Sequence, residues 1–150
     1  MFKCSKEYRF EYAHQLFDSY TQLCHETIHG HSGRVRITFR NNTNYTLDKN
    51  NMVVDFGLVS DLVKEALMNK YDHALFMPMM FPKEYLDMLS KYNKRLTITS
   101  DNPTAEMFAK DIYTLVSAIL NSDPKNMVQV IKVEFWETES GCAIYQPNTH

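Results

Sequence analysis

The sequence predicts an α+β fold from three observations. Alternating apolar and polar runs mark strands near both ends of the chain, two stretches carry apolar residues at helical spacing, and turn-rich segments separate them. At 150 residues the chain is expected to form a single domain over 1–150. That length buries on the order of 70% of the unfolded surface around one core.

From Lys6 to His14 the even positions Tyr8, Phe10, Tyr12 and His14 alternate with Glu7, Arg9, Glu11 and Ala13, a half-buried strand whose apolar face ends in His14. A second strand is expected from Arg34 to Arg40, with Val35, Ile37 and Phe39 facing the core. If it runs back without a bulge, His29 and His31 share its core-facing parity; Gly33 is the one residue that could break that register, since an isolated glycine in a strand often marks a bulge. Asn41 to Asn51 reads as a hairpin loop. A helix follows from about Leu58 to Lys70, with Leu58, Val59, Leu62, Val63, Ala66 and Leu67 on one face. Tyr71 to Pro82 reads as a loop whose apolar and methionine content packs either onto its own core or onto another subunit. A short helical turn is expected from Lys83 to Leu89 and a short strand from Arg95 to Thr99.

Asn102 as cap and Pro103 as first residue open a helix whose stripe is Met107, Phe108, Ile112, Leu115, Val116, Ile119 and Leu120. It ends at Asn121 to Pro124. Met127 to Glu137 reads as a strand with Met127, Ile131, Val133 and Phe135 facing one way and Glu137 ending that face. Glu139-Ser140-Gly141 then turns the chain into a last strand, Cys142 to Tyr145.

Lys+Arg 16 nearly balance Asp+Glu 18, so no nucleic acid or anionic membrane is expected as a bulk electrostatic partner. No apolar run is long enough to span a bilayer, and the start of the chain lacks a signal-peptide apolar region, so a soluble cytoplasmic protein is expected. Cys4, Cys24 and Cys142 are odd in number and widely spaced, which argues against a disulfide framework.

The densest chemistry lies in Cys24-His25-Glu26-Thr27-Ile28-His29-Gly30-His31. On an extended strand His29 and His31 point to one face and can grip one metal. His14, at the end of the neighbouring strand, completes a set of three imidazoles. Three protein ligands with one open position are the pattern of catalytic zinc.

Taken in order, Phe10-Glu11-Tyr12-Ala13-His14, His29-Gly30-His31, Val54-Asp55-Phe56, Asp72-His73, Pro103-Thr104-Ala105-Glu106 and Glu137-Thr138 resemble the 6-pyruvoyl tetrahydropterin synthase / 6-carboxytetrahydropterin synthase family over nearly the whole chain. The resemblance implies the tunnelling fold, with a four-stranded antiparallel sheet and two helices on one face. It also implies a zinc lyase acting on 7,8-dihydroneopterin triphosphate, assembled as a homo-oligomer, trimer or hexamer, with active sites between subunits. By position, His14, His29 and His31 would bind zinc, while Cys24 with Asp72 and His73 would form the proton-transfer group. Glu137 would anchor the pterin, with Thr104 and Glu106 lining its pocket.

The sequence departs from that pattern inside the motif. In the queuosine-pathway branch the catalytic cysteine stands one residue nearer to His-Gly-His than Cys24 does. Glu26 instead resembles the branch in which glutamate replaces the cysteine and cleaves the side chain to 6-hydroxymethyl-7,8-dihydropterin for folate synthesis. The chain carries both groups. Side-chain cleavage is the leading expectation, with formation of 6-pyruvoyl-tetrahydropterin or 6-carboxytetrahydropterin as the alternative. A non-catalytic, zinc-stabilised pterin binder is the alternative of another class. A zinc hydrolase is disfavoured because no helical His-Glu-x-x-His is present. Ser32-Gly33 stand where the family has an aromatic, and Phe76 where it has asparagine.

Overall fold

A computed structural model describes residues 2–42, 47–124 and 128–148. Six strands form one sheet in the order β4-β3-β1-β2-β5-β6. Its centre is the antiparallel pair β1 (Cys4–His14) and β2 (His29–Asn41), joined through a short helix α1 (Gln22–Glu26). The four antiparallel strands expected are β1, β2, β5 (Val128–Trp136) and β6 (Cys142–Tyr145).

The expectation of a four-stranded sheet is corrected by β3 (Ala74–Pro78) and β4 (Leu96–Thr99), which add two parallel strands beside β1. The segment holding β3 had read as a loop because all five of its residues are buried, which removes the alternation that marks a strand. Ala74 and Phe76 join the main core; Leu75 and Met77 pack on the other face with Leu89 of α3 (Lys83–Tyr92), a full helix where a single turn was expected. Met79 and Met80, just beyond β3, are exposed.

Helices α2 (Phe56–Tyr71) and α4 (Ala105–Ser122) cover one face of the sheet, as expected. Asp55 caps α2 by accepting the Gly57 N–H at 2.7 Å, so the helix starts before Leu58. Its buried stripe is Val59, Val63, Leu67 and Tyr71, whereas Leu58 and Leu62 face outward. Tyr71 Oη and Lys70 Nζ both donate to Asp111 Oδ2, at 2.5 and 2.6 Å, and tie α2 to α4. Among the described residues no helix is long and apolar enough to cross a membrane.

One open strand alternative is resolved and one strand expectation changes. Gly33 lies within continuous β1–β2 pairing, opposite Phe10, and makes no bulge there. Glycine is needed for space: a Cβ would stand 3.0–3.2 Å from ring atoms of Tyr12, Phe135 and Phe10. These rings pack on one another and cannot all yield. Gly33→Ala is therefore expected to destabilise the fold by about 1–3 kcal/mol, the usual cost of overpacking, measured as a lower urea midpoint at unchanged slope.

The bulge lies instead in the β2–β5 pair, where the register shifts between Thr38 and Phe39. Thr38 pairs with Lys132 and Phe39 with Val130, leaving Ile131 as the extra residue. Val128 and Val130 are thus buried before it and Val133 and Phe135 after it, and Ile131 is not the core residue expected. Met127 and part of the Asn41 to Asn51 loop lie outside the described residues.

Candidate metal centre and active site

The β1–β2 register sets His14 directly opposite His29 and Tyr12 opposite His31. Because alternate residues share a face, all three imidazoles emerge on the helix-covered side at one end of the pair. His14 is buried at 1% exposure; His29 and His31 are half-buried. One ligand atom from each lies within 4.8 Å of the others, and among the described residues these three alone form such a cluster.

The protons on these rings can be assigned from their partners. His14 Nδ1 lies 2.7 Å from the Pro103 carbonyl and His29 Nδ1 lies 3.0 Å from the Thr27 carbonyl. A carbonyl only accepts, so both Nδ1 atoms donate, and in the neutral rings that a metal requires both Nε2 atoms present lone pairs. Those two Nε2 atoms stand 3.0 Å apart. His31 Nε2 is buried without a hydrogen-bond partner. Facing lone pairs and an orphaned buried nitrogen are unfavourable alone and are resolved by a cation between them, so the residues fit a metal ion. Burial, together with the neighbouring imidazoles, pushes His14 down to about 4 against the pull of its Pro103 hydrogen bond. It is neutral, as a ligand must be, at ordinary pH. Burial likewise lowers His31, with the Glu137 charge opposing.

Glu137 follows β5 and sits at the edge of this cluster. Its Oε1 accepts the Tyr12 phenol at 3.1 Å and lies 3.5 Å from His14 Nε2 and 3.8 Å from His31 Nε2. Burial and then the Glu137 charge raise Tyr12 above the ordinary phenol range, so it remains a donor. The alternation of β1 marks Tyr12 as a core residue only. Its position two before His14 on the same face was the available sign that it belongs beside the site.

The other expected residues are placed as follows. Cys24 is half-buried and Glu26 exposed on α1, where Glu26 Oε1 accepts Gln22 Nε2 at 2.7 Å. The carbonyl of Thr27, which caps α1, holds His29, so the helix bearing both candidate bases is attached to the cluster. Asp72 pairs with His73 Nδ1 at 2.8 Å and accepts the Glu11 N–H at 3.0 Å. Those two contacts, the backbone one first, and Arg95 hold its carboxyl below the usual range. His73 has a left-handed backbone at φ 57° and its side chain is 74% exposed.

Neither Asp72 nor His73 has a hydrogen bond or ion pair to the imidazoles. His73 lines a cleft of about 510 Å³ with Glu11, Ser32, Leu75 and Asn93, and Tyr12 and His31 line the same cleft. One chain therefore gathers His14, His29, His31 and Glu137 and leaves the Asp72–His73 pair without a bond to that cluster.

Thr104, not Asn102, caps α4, its hydroxyl accepting the Met107 N–H at 3.4 Å. Pro103 accordingly precedes the helix. The Asn102 side chain is committed to Phe17, accepting its N–H at 2.6 Å and donating to its carbonyl at 2.7 Å. Glu106 is exposed in the first turn of α4.

These features define a class: an α+β protein with a three-imidazole cluster at the end of a central strand pair and a carboxylate beside it. The chain belongs to the 6-pyruvoyl tetrahydropterin synthase family, pterin-processing enzymes whose family model matches residues 3–148. A curated relative from Haemophilus influenzae, 6-carboxy-5,6,7,8-tetrahydropterin synthase, is 28% identical over 148 residues, covering 97% of this chain and 99% of its own. Among solved structures, an uncharacterised protein from Wolinella succinogenes superposes with TM-score 0.75 at 19% identity, covering 98% of both chains. Plasmodium vivax 6-pyruvoyltetrahydropterin synthase, in a form whose catalytic residue, a glutamate, is replaced by alanine, superposes with TM-score 0.71 at 18% identity, covering 98% of both chains.

Proposed function

We propose that the chain is a zinc-dependent lyase that cleaves the side chain of 7,8-dihydroneopterin triphosphate to 6-hydroxymethyl-7,8-dihydropterin. The observation that carries the reading is the convergence of three imidazole nitrogens, two with facing lone pairs, beside a half-buried carboxylate. His14, His29 and His31 would hold the zinc, which when bound supplies Lewis acidity to the hydroxyls of the substrate side chain.

The protein groups do the rest. The carbonyls of Pro103 and Thr27 fix the tautomers of His14 and His29. Glu137 accepts paired hydrogen bonds from the amino group and ring N–H of the pterin, geometry that orients a flat heterocycle. Thr104 and Glu106, at the start of α4, border that pocket. Glu26 removes a side-chain hydroxyl proton, which triggers retro-aldol cleavage. The Plasmodium vivax relative, whose catalytic residue is a glutamate, supports that assignment.

Asp72 and His73 make no bond to the imidazoles of their own chain, so in this reading a neighbouring copy in a trimer or hexamer presents its pair to the site. A second reading, formation of 6-carboxytetrahydropterin with Cys24 as the base, is favoured by the names of the curated relatives.

Incubation of the zinc-loaded protein with 7,8-dihydroneopterin triphosphate, with pterins resolved by chromatography, tests these readings. The hydroxymethyl product is expected. Accumulation of 6-carboxytetrahydropterin would establish the second reading, and binding without turnover by metal-replete protein would make the chain a pterin binder.

A further inference from the structure

The Glu137 carboxylate stands nearer to the imidazoles than the anchoring of a flat ring requires. Its Oε1 is 3.5 Å from His14 Nε2 and 3.8 Å from His31 Nε2. The first is not a hydrogen bond, because His14 spends its proton on Pro103 and offers Glu137 only a lone pair. Acceptor atoms from His14, His29 and Glu137 thus converge, and the phenol of Tyr12 is the one donor shown to reach that carboxylate oxygen. Two ligand atoms each about 2.0–2.1 Å from one tetrahedral ion are about 3.3 Å apart. The separation of His14 Nε2 from His29 Nε2, 3.0 Å, lies just below that value and the two Glu137 distances just above it.

Charge points the same way. Three neutral imidazoles leave both charges of a divalent ion uncompensated in a largely buried site. Among the described residues, Glu137 is the only carboxylate within ion-pair distance of the cluster.

We infer that Glu137 is the fourth metal ligand of the substrate-free protein, occupying the position that the substrate side chain takes. Binding of substrate then exchanges the carboxylate from the metal to the pterin ring. Tyr12, buried behind it, donates to the same oxygen in the closed arrangement and gives Glu137 a defined position on the metal side. The inference rests on the metal reading above and adds a role for Glu137 that anchoring alone does not include.

Cobalt(II) substitution tests it, because the visible absorption of the ion reports its ligands. Glu137→Gln and Glu137→Asp are each expected to change the cobalt spectrum and to lower zinc affinity at least about 10-fold, measured by competition with a chromophoric chelator. The aspartate is one methylene shorter and keeps the charge, so a similar change in both variants separates ligation from electrostatics. Unchanged spectra, with zinc affinity within about twofold of wild type, overturn the inference.

A crystal structure of the wild-type zinc protein without substrate needs no variant. A carboxylate oxygen about 2.0–2.2 Å from zinc is expected, and a water there instead overturns the assignment. A carboxylate on the metal in a protein that does not turn over dihydroneopterin triphosphate would sink the lyase reading and leave this one standing. Turnover with unchanged cobalt spectra in both variants would do the reverse.

Discussion

Replacing His29 or His31 with alanine is expected to strip the protein of stoichiometric metal. Loss of a group that merely supports a ligand already costs about 10–100-fold in affinity, so loss of a ligand should exceed about 100-fold. These two are cleaner targets than His14, which is fully buried among the rings of Tyr12 and Phe108 and whose removal would leave a cavity. Metal content after gel filtration measures the effect. Thermal unfolding adds a control: a chelator should lower the midpoint of wild type and leave that of either variant where it was, because only a protein that binds metal gains stability from it. Full metal retention in either variant would remove the centre from the site.

The second large effect concerns the two candidate bases. Glu26→Ala is expected to suppress 6-hydroxymethyl-7,8-dihydropterin by a factor of about 100 or more, the scale on which a positioned general base contributes. Cys24→Ala should leave much of that product. Both residues sit on the five-residue helix α1, whose cap holds His29, so either substitution could disturb the metal. Metal content must therefore be measured beside activity. The glutamate is already exposed and contributes no buried packing, which makes a purely structural loss from Glu26→Ala unexpected. Equal loss from Cys24→Ala with Glu26→Ala silent would reverse the assignment and favour the thiol-dependent product.

The imidazole cluster was legible in the sequence because it depends on strand parity. His14 ends an alternating run and His29 and His31 share a face, and the β1–β2 register then puts them opposite one another. What parity could not reveal is where two faces are covered. Ala74–Pro78, buried on both sides, carries no alternation and so read as a loop. The placement of Asp72 and His73, which directly precede it, depends on that missed strand. Capping was misassigned for a related reason: Asn102 has the chemistry of a cap, but its side chain is drawn to Phe17, far away in sequence, leaving the role to Thr104. Gly33 was recognised as special, although its cause is the crowding of three rings, which no local pattern records.

The extra residue in β5 bears on the active site from a distance. Before Ile131 the even positions Val128 and Val130 are buried, and after it the odd positions Val133 and Phe135 are. Glu137 belongs to the second set. The bulge thus works as a phase shift: were Ile131 paired as an ordinary strand residue, the alternation begun at Val128 would carry the carboxylate to the outer face of the sheet. Deleting Ile131, six positions ahead of Glu137, would remove the bulge and join the two buried runs into one alternation that still ends at Glu137 on the inner face. How that one residue is accommodated, unpaired and not in step, is as much a condition of the site as the identity of the glutamate itself.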